Sequence, residues 1–332
     1  VNATQWFERE KYFAAFVTGS LLPFWQQRQE GEFSGVAGVP IRFVCFQAPH
    51  HRRVVVISPG RVESYVKYPE VAYDLFHHGY DVMIVDHRGQ GRSGRLLDDP
   101  QRGHVVKFSD YVDDFESFYQ KIVQPRAYQQ HFALAHSMGA AILTLFLARH
   151  PTAFSAAALS APMFGIDLPM PNWLAERILD WTEERVAIRD TYAVGTRQWL
   201  PLPYLINTLT HSRERYQQNL RYYIDHPEIQ LGGPTYHWVR ESIQAGKQII
   251  AQAANITTPL LLLQASEDTV VDNQAQTDFC HTLVTVGGDC EGGKPWIING
   301  AYHEILFEQD QIRTQALSVI LRFFAQHFSD NR

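Results

Sequence analysis

The sequence predicts an α/β protein built on a doubly wound, mostly parallel sheet with helices on both faces. Three observations carry that prediction. Short apolar runs rich in β-formers recur along the chain, several without a polar interruption, as parallel strands covered on both faces require. Helix-like segments separate most of these runs, and strand alternating with helix is the pattern of an open parallel sheet. The alternation breaks once, over 164–250, and resumes afterwards.

The first two strands are expected near 33–37 and in "IRFVCF" (41–46), close enough to pair as an antiparallel hairpin. The runs "VVVI" (54–57), "VMIV" (82–85), "FALA" (132–135), "AALS" (157–160), "LLLLQ" (260–264) and "WII" (296–298) complete an eight-stranded sheet. Helices are expected over 68–78, 110–122, 138–149, 273–284 and 310–327. The interrupting segment sets Trp173, Trp181, Trp199 and Trp238 among scattered prolines and arginines and has no clear strand. Because the sheet pattern resumes at "LLLLQ", the segment reads as a helical insertion over the strand ends, where open α/β sheets keep their ligand crevice. The expected organisation is a core in two parts, 1–163 and 251–332, with a helical cap of 164–250 between them. Near the N-terminus, "WFEREKYFAAF" places Trp6, Tyr12, Phe13 and Phe16 among charges, the pattern of an amphipathic helix packed on the body.

Composition narrows the function classes. A chain of 332 residues can bury a large core, and 45% apolar against 19% charged residues is a globular balance. The net charge of −6 argues against a nucleic-acid partner, whose binders are normally basic. No apolar run reaches the roughly 18 residues of a membrane span, and the N-terminal stretch has no apolar secretory segment. The three cysteines, Cys45, Cys280 and Cys290, form no metal-type cluster, so neither metal nor cofactor is expected. Their small number fits a reduced cytoplasmic compartment. Cys280 and Cys290 are near enough in sequence to bridge, yet in that compartment free thiols are expected.

The chemistry concentrates in "FALAHSMGAA" (132–141), where an apolar strand runs up to Ser137 and gives way at once to an alanine-rich helix. That is the context of a nucleophile elbow. The turn needs small residues beside the serine because strand and helix backbones come into close contact. Gly139 supplies one, while Ala135 stands where the G-x-S-x-G pattern has its first glycine. Taken alone, the stretch equally describes a serine that merely caps a surface helix.

The partners decide between the two. On such a sheet the acid and then the base follow the serine along the chain. "ASEDTVVD" after "LLLLQ" puts Asp268 in a loop at a strand's C-terminal end, and "NGAYHEILFE" after "WII" puts His303 in the next such loop. His303 is expected to accept the Ser137 proton while Asp268 holds the imidazole's tautomer and stabilises its charged form. Glu267 and Asp272 compete for the acid role. His136 adjoins the serine but points elsewhere. Donors for a tetrahedral oxyanion are expected from the backbone N–H of Met138 and of Arg61, the latter in "PGRVESY" after "VVVIS". The glycine-rich "DHRGQGRSG" (86–94) lacks the spacing of a phosphate or dinucleotide loop and is expected as a wall near the catalytic centre.

The ordered set "ISPGRVESY", "DHRGQGRSGR", "LAHSMG", "ASEDTVVD" and "GAYHEILFE" resembles the serine α/β-hydrolases of the monoacylglycerol lipase and lysophospholipase group. "APMFGI", "LTHSRERYQQNLRYY" and "GGPTYHWVRESI" extend the resemblance over nearly the whole chain. It implies the α/β-hydrolase fold and hydrolysis of carboxylic esters of single-chain lipids: a lysophospholipid yields a free fatty acid and a glycerophosphodiester. It also implies a place in the cytoplasm or at the inner face of a bacterial inner membrane, with peripheral membrane contact. For such a substrate, Trp173, Trp181, Trp199, Leu200, Leu202 and Tyr204 are expected to line an acyl slot, and one of Arg213, Arg215 and Arg221 to offer charge to a phosphodiester. The rival enzymatic readings are a monoacylglycerol lipase, a general carboxylesterase or an aminopeptidase of the same fold. The non-enzymatic rival is a lipid-binding protein on a hydrolase fold, for which loss of a triad member is the expected sign; none is lost.

Overall fold

The computed structural model describes residues 6–329. One sheet contains β1 (Gln29–Ser34), β2 (Pro40–Phe46), β3 (Arg53–Ser58), β4 (Tyr80–Val85), β5 (Gln130–His136), β6 (Ala156–Ser160), β7 (Leu260–Ala265) and β8 (Trp296–Ile298). Their order across it is β1-β2-β4-β3-β5-β6-β7-β8. β1 with β2 and β2 with β4 are antiparallel, and every other neighbouring pair is parallel. Eight longer helices pack around it: α1 (Pro69–Phe76), α2 (Phe108–Phe118), α3 (Met138–Arg149), α4 (Asn172–Glu183), α5 (Arg213–Asp225), α6 (Tyr236–Ala251), α7 (Asn273–Thr285) and α8 (Asp310–Gln326).

Side-chain alternation sorts the core into two layers. Along β3, Val54 and Val56 join the layer formed with α2, α3 and α7, while Val55 and Ile57 join the layer formed with α1 and α8. β1 begins and ends earlier than the apolar pattern suggests. Gly35 N–H donates to Val39 O across a turn in which Ala37 has φ 55, so residues expected to be strand form the hairpin bend. The strand itself, "QEGEFS", is polar at a sheet edge and carries little hydrophobic signal. At the N-terminus, Trp6 and Phe13 are buried as expected of a packed face, while Tyr12 is exposed.

Between β6 and β7 the chain leaves the sheet. α6 returns firmly to it: Trp238, Ala245 and Ile249 belong to the first core layer. α5 is fastened by charge. Arg215 donates to Glu70 Oε1 on α1 (2.8 Å) and to Asp310 Oδ1 on α8 (2.9 Å). Arg9 donates to Glu70 Oε2 and Asp74 Oδ2 (both 2.9 Å), and Arg313 to Asp74 Oδ2 (2.7 Å). Burial works against the Glu70 carboxylate, but Arg215 first, then Arg313 and Arg9, hold its pKa far below the usual range. A buried charge is tolerated when it is paired and fully hydrogen-bonded in this way.

One expectation is corrected. Cys280 on α7 and Cys290 form a disulfide rather than two free thiols. The turn after α7, where Gly288 N–H donates to Leu283 O, brings Cys290 back beside the helix, and both cysteines sit in the first core layer. The bridge removes the cysteine-based argument for a reducing compartment. Cys45 is the one free cysteine, and burial pushes its thiol up to about 12.

Candidate active site

At the end of β5 the backbone turns sharply. Ser137 has φ 54 and ψ −119, a conformation that costs a non-glycine residue about 1–3 kcal/mol and persists only where its surroundings enforce it. Two backbone bonds do so: Ser137 N–H donates to Ser160 O (3.1 Å) and Met163 N–H to Ser137 O (3.0 Å). The hydroxyl makes no capping hydrogen bond to α3, so the helix-cap role is unfilled. Gly139 has no latitude, because a Cβ there would lie 2.1 Å from Ser58 O and 2.3 Å from Pro59 O. The small residue that the turn demands is thus explained by contact between α3 and the end of β3.

The loops after β7 and β8 reach the same rim. Ser137 Oγ–H donates to His303 Nε2 (3.0 Å), and His303 Nδ1–H donates to Asp268 Oδ2 (2.7 Å). The other oxygen, Asp268 Oδ1, accepts from the backbone N–H of Val270 (2.8 Å) and Val271 (3.1 Å). Burial disfavours the ionised carboxyl, yet the His303 hydrogen bond and charge, with those two amides, hold its pKa below the ordinary value. Asp272 instead caps α7, accepting from Gln274 N–H, and Glu267 lies 3.4 Å from His211 Nε2.

The β3–α1 loop lies against the serine. Gly60 N–H donates to Glu63 Oε1 (2.6 Å), and Gln90 Nε2–H bonds hold Gly60 O (2.7 Å) and Glu63 O (3.0 Å). Among the described residues, no protein acceptor takes the backbone N–H of Arg61 or Met138. Val62, with φ 75, completes the bend. Residues 86–94 are absent from the cavity wall on which they were expected. They brace this loop from behind, because Asp86 accepts from Ser64 Oγ–H and from the amides of Tyr65 and Arg92. Burial pushes the Asp86 carboxyl up to about 6.

Beneath the serine is a charged cluster that sequence reasoning missed. Lys67 Nζ donates to Glu63 Oε2 (2.7 Å) and Glu304 Oε1 (2.6 Å). His136 faces Glu63 Oε1 with Nδ1 (2.9 Å) and His303 O with Nε2 (3.2 Å). Both partners are acceptors, so both ring nitrogens donate and the ring is an imidazolium. Burial opposes that charge, but Glu63 raises the pKa above the ordinary value. His136 therefore holds the backbone carbonyl of His303. The i,i+4 pair Glu63–Lys67 was the available sequence signal.

A cavity of about 610 Å³ opens from Ser137 and His303 against the helical segment that joins β6 to β7, hereafter the cap. Its wall is mostly apolar and includes Met163, Leu179, Tyr223, Trp238 and the expected Trp199, Leu200 and Leu202. The other expected lining residues lie elsewhere. Trp173 and Trp181 are exposed, with the Arg185 guanidinium 3.9 Å over the Trp181 ring. Arg215 is consumed by Glu70 and Asp310, because its fork faces the α1–α8 junction rather than the cavity. Arg213 stacks over Tyr204 at 4.6 Å, and Arg221 is exposed on the outer side of α5. None of these three arginines lines the cavity.

A doubly wound sheet that delivers a strained serine, an imidazole and a carboxylate to one rim is the architecture of the serine α/β-hydrolases. The family model described as serine aminopeptidase, S33, matches residues 49–310. Lysophospholipase L2 of Escherichia coli (strain K12) is 59% identical over 98% of this chain and 95% of its own length. The probable lysophospholipase L2 of Haemophilus influenzae is 33% identical over 95% of this chain and 98% of its own. A thermostable carboxyl esterase from Bacillus coagulans superposes with TM-score 0.70 at 18% identity, covering 90% of this chain and 98% of that one. The chain belongs to the S33 family of α/β-hydrolases, and the fold expected from the sequence is the one observed.

Proposed function

We propose that the chain hydrolyses the carboxylic ester of lysophospholipids through an acyl-enzyme on Ser137. It is a carboxylic ester hydrolase of the lysophospholipase group. The observation that carries the reading is the Ser137–His303–Asp268 hydrogen-bond chain at the end of a mostly apolar cavity of about 610 Å³.

His303 Nε2 takes the Ser137 proton as Oγ attacks the ester carbonyl carbon. The carbonyl oxygen becomes an oxyanion facing the unspent N–H groups of Arg61 and Met138, each such donor being worth about 3–4 kcal/mol in a measured hydrolase. Collapse breaks the acyl carbon–oxygen bond, and His303 gives its proton to the departing glycerol oxygen. A water molecule, deprotonated by the same imidazole, then attacks the acyl-serine. The fatty acid leaves and the Ser137 hydroxyl is restored. Asp268 stays ionised throughout, compensating the transient imidazolium. No metal or cofactor enters these steps.

Approach to a bilayer fits the cap's outer face, which exposes Trp173, Trp181, Leu205 and Ile206. Among the described residues no helix is long and apolar enough to cross a membrane, so contact would be peripheral.

Wild-type and Ser137→Ala proteins are to be compared on lysophosphatidylethanolamine, monoacylglycerol and a fluorophosphonate probe. The expected result is fatty-acid release and covalent labelling by the wild type only, with lysophosphatidylethanolamine the better lipid. Labelling of the folded Ser137→Ala protein, or preference for monoacylglycerol, overturns the proposal.

A further inference from the structure

The arginines expected at the headgroup do not line the cavity, yet its wall carries three arginine or lysine side chains, Arg61, Lys67 and Arg197, besides the His136 imidazolium that Glu63 neutralises. Lys67 is saturated by two carboxylates. Arg197 is exposed, where water screens its charge. Arg61 differs from both. Among the described residues no carboxylate lies within ion-pair distance of it, and its one side-chain hydrogen bond runs from Nη1–H to Gly232 O (2.8 Å). Nε and Nη2 have no protein partner, and neither is among the sealed orphan atoms, so both stay open to incoming groups.

The surroundings make this isolation costly. The guanidinium lies 5.6 Å from the Trp238 ring, and Nη1 would be 2.9 Å from a Cβ at Gly103, so it is packed against apolar and backbone groups. Burial lowers its pKa to about 10, which leaves it protonated at neutral pH. Arg61 is half-buried, and the fully buried forks behave oppositely: Arg9, Arg88, Arg215 and Arg313 each meet a carboxylate at 2.7–2.9 Å. An unpaired guanidinium in a partly dry cavity is a standing penalty that an anionic ligand relieves. Its planar fork matches phosphate oxygens.

We propose that the Arg61 side chain is the phosphodiester site of the substrate cavity. Resting on the lysophospholipase reading, this names the residue that selects lysophospholipids over neutral monoacylglycerols. The placement is economical. The residue whose backbone N–H faces the ester oxygen also carries the cation, and its side chain spans about as many bonds as the glycerol spacer between ester and phosphorus. Gly232, which holds Nη1 by its carbonyl, fixes the fork on the wall.

The test compares wild type, Arg61→Met and Arg61→Lys on lysophosphatidylethanolamine and monoacylglycerol bearing the same acyl chain. Both substitutions keep the backbone N–H, and damage to the ester-binding end lowers both rates alike. The expected result for Arg61→Met is a fall of about 10- to 100-fold in the kcat/KM ratio of phospholipid to neutral lipid, the worth of charge-assisted hydrogen bonds, with partial recovery in Arg61→Lys. A second measurement needs no turnover: binding of an alkylphosphocholine to the Ser137→Ala protein is expected to weaken when Arg61→Met is added. An unchanged ratio with unchanged binding overturns the assignment, and so does loss confined to inhibition by free oleate, which would give the cation to the departing carboxylate. If the wild type fails to cleave lysophosphatidylethanolamine at all, the parent reading falls first, and the two failures are distinct.

Discussion

At the strand ends, each residue that sets the serine is held by something a substitution would violate, whereas the segment between β6 and β7 is anchored to the body at several points yet leaves large apolar side chains exposed. Gly139 has backbone oxygens where a Cβ would sit, Ser137 is bonded through both its N–H and its carbonyl, and Asp268 is locked by three donors. In the cap, α5 is stapled by Arg215 and α6 by Trp238 and Ile249, while α4 and the stretch leading to α5 leave Trp173, Trp181, Leu205 and Ile206 exposed. The difference teaches what each region is built to present. Chemistry needs fixed geometry at the rim, while a cavity for a flexible acyl chain needs volume and an entrance.

The largest break in that contrast is Asp268→Asn. The amide cannot stabilise the imidazolium and favours the wrong tautomer at His303, so kcat is expected to fall about 10³–10⁴-fold, the scale of the same change in a serine protease. The melting temperature should move little, because the two backbone donors keep an acceptor oxygen. Steady-state kinetics on a soluble ester measure it, and a loss below about tenfold would contradict the rim as the seat of the chemistry.

Glu70→Gln tests the staple between cap and body. It leaves the Arg9, Arg215 and Arg313 guanidinium groups short of a buried counter-charge, which costs about 3–5 kcal/mol in comparable settings. The pH dependence has a definite sign. Because the folded pKa of Glu70 lies below the unfolded value of 4.5, its contribution is fully present above that value and is lost as pH falls toward the folded one. Urea midpoints of wild type are therefore expected to drop on acidification through that window, and those of Glu70→Gln to start lower and drop less. Parallel acid limbs in the two proteins would remove Glu70 from the cluster's energetics.

The same contrast decides what was legible in the sequence. Strand ends are marked by apolar runs, and the residue just past each run is what an open sheet offers to a ligand. Ser137, Asp268 and His303 could therefore be singled out in order, and the geometry brings them together. The cap has no such period. Arg215 looked available because its partners, Glu70 and Asp310, are remote in sequence, and Trp181 looked like lining because hydrophobicity does not say which side of a helix is covered. Arg61 was noticed only for its backbone, since an unpaired guanidinium is defined by absent neighbours that a sequence does not display. Cys280 and Cys290 were misjudged for a related reason, as a compartment argument outweighed a turn whose closeness only the fold reveals.

The smallest expected effect lies on the cap's outer face. Trp181 and Leu205 are 51% and 83% exposed, and neither lines the cavity, so folding alone gives them no reason to be apolar. If this face meets lipid, Trp181→Ser and Leu205→Ser each forfeit part of the roughly 1.5–3 kcal/mol that burying a large apolar side chain supplies. Each change is expected to weaken binding to phosphatidylethanolamine–phosphatidylglycerol vesicles by about threefold to tenfold, since an interfacial side chain is buried only in part. Vesicle co-sedimentation reads the partition directly. Hydrolysis of vesicle-borne lysophospholipid should decline in step, relative to a water-soluble ester. Unchanged sedimentation in the double variant would mean that these exposed apolar side chains serve something other than a bilayer.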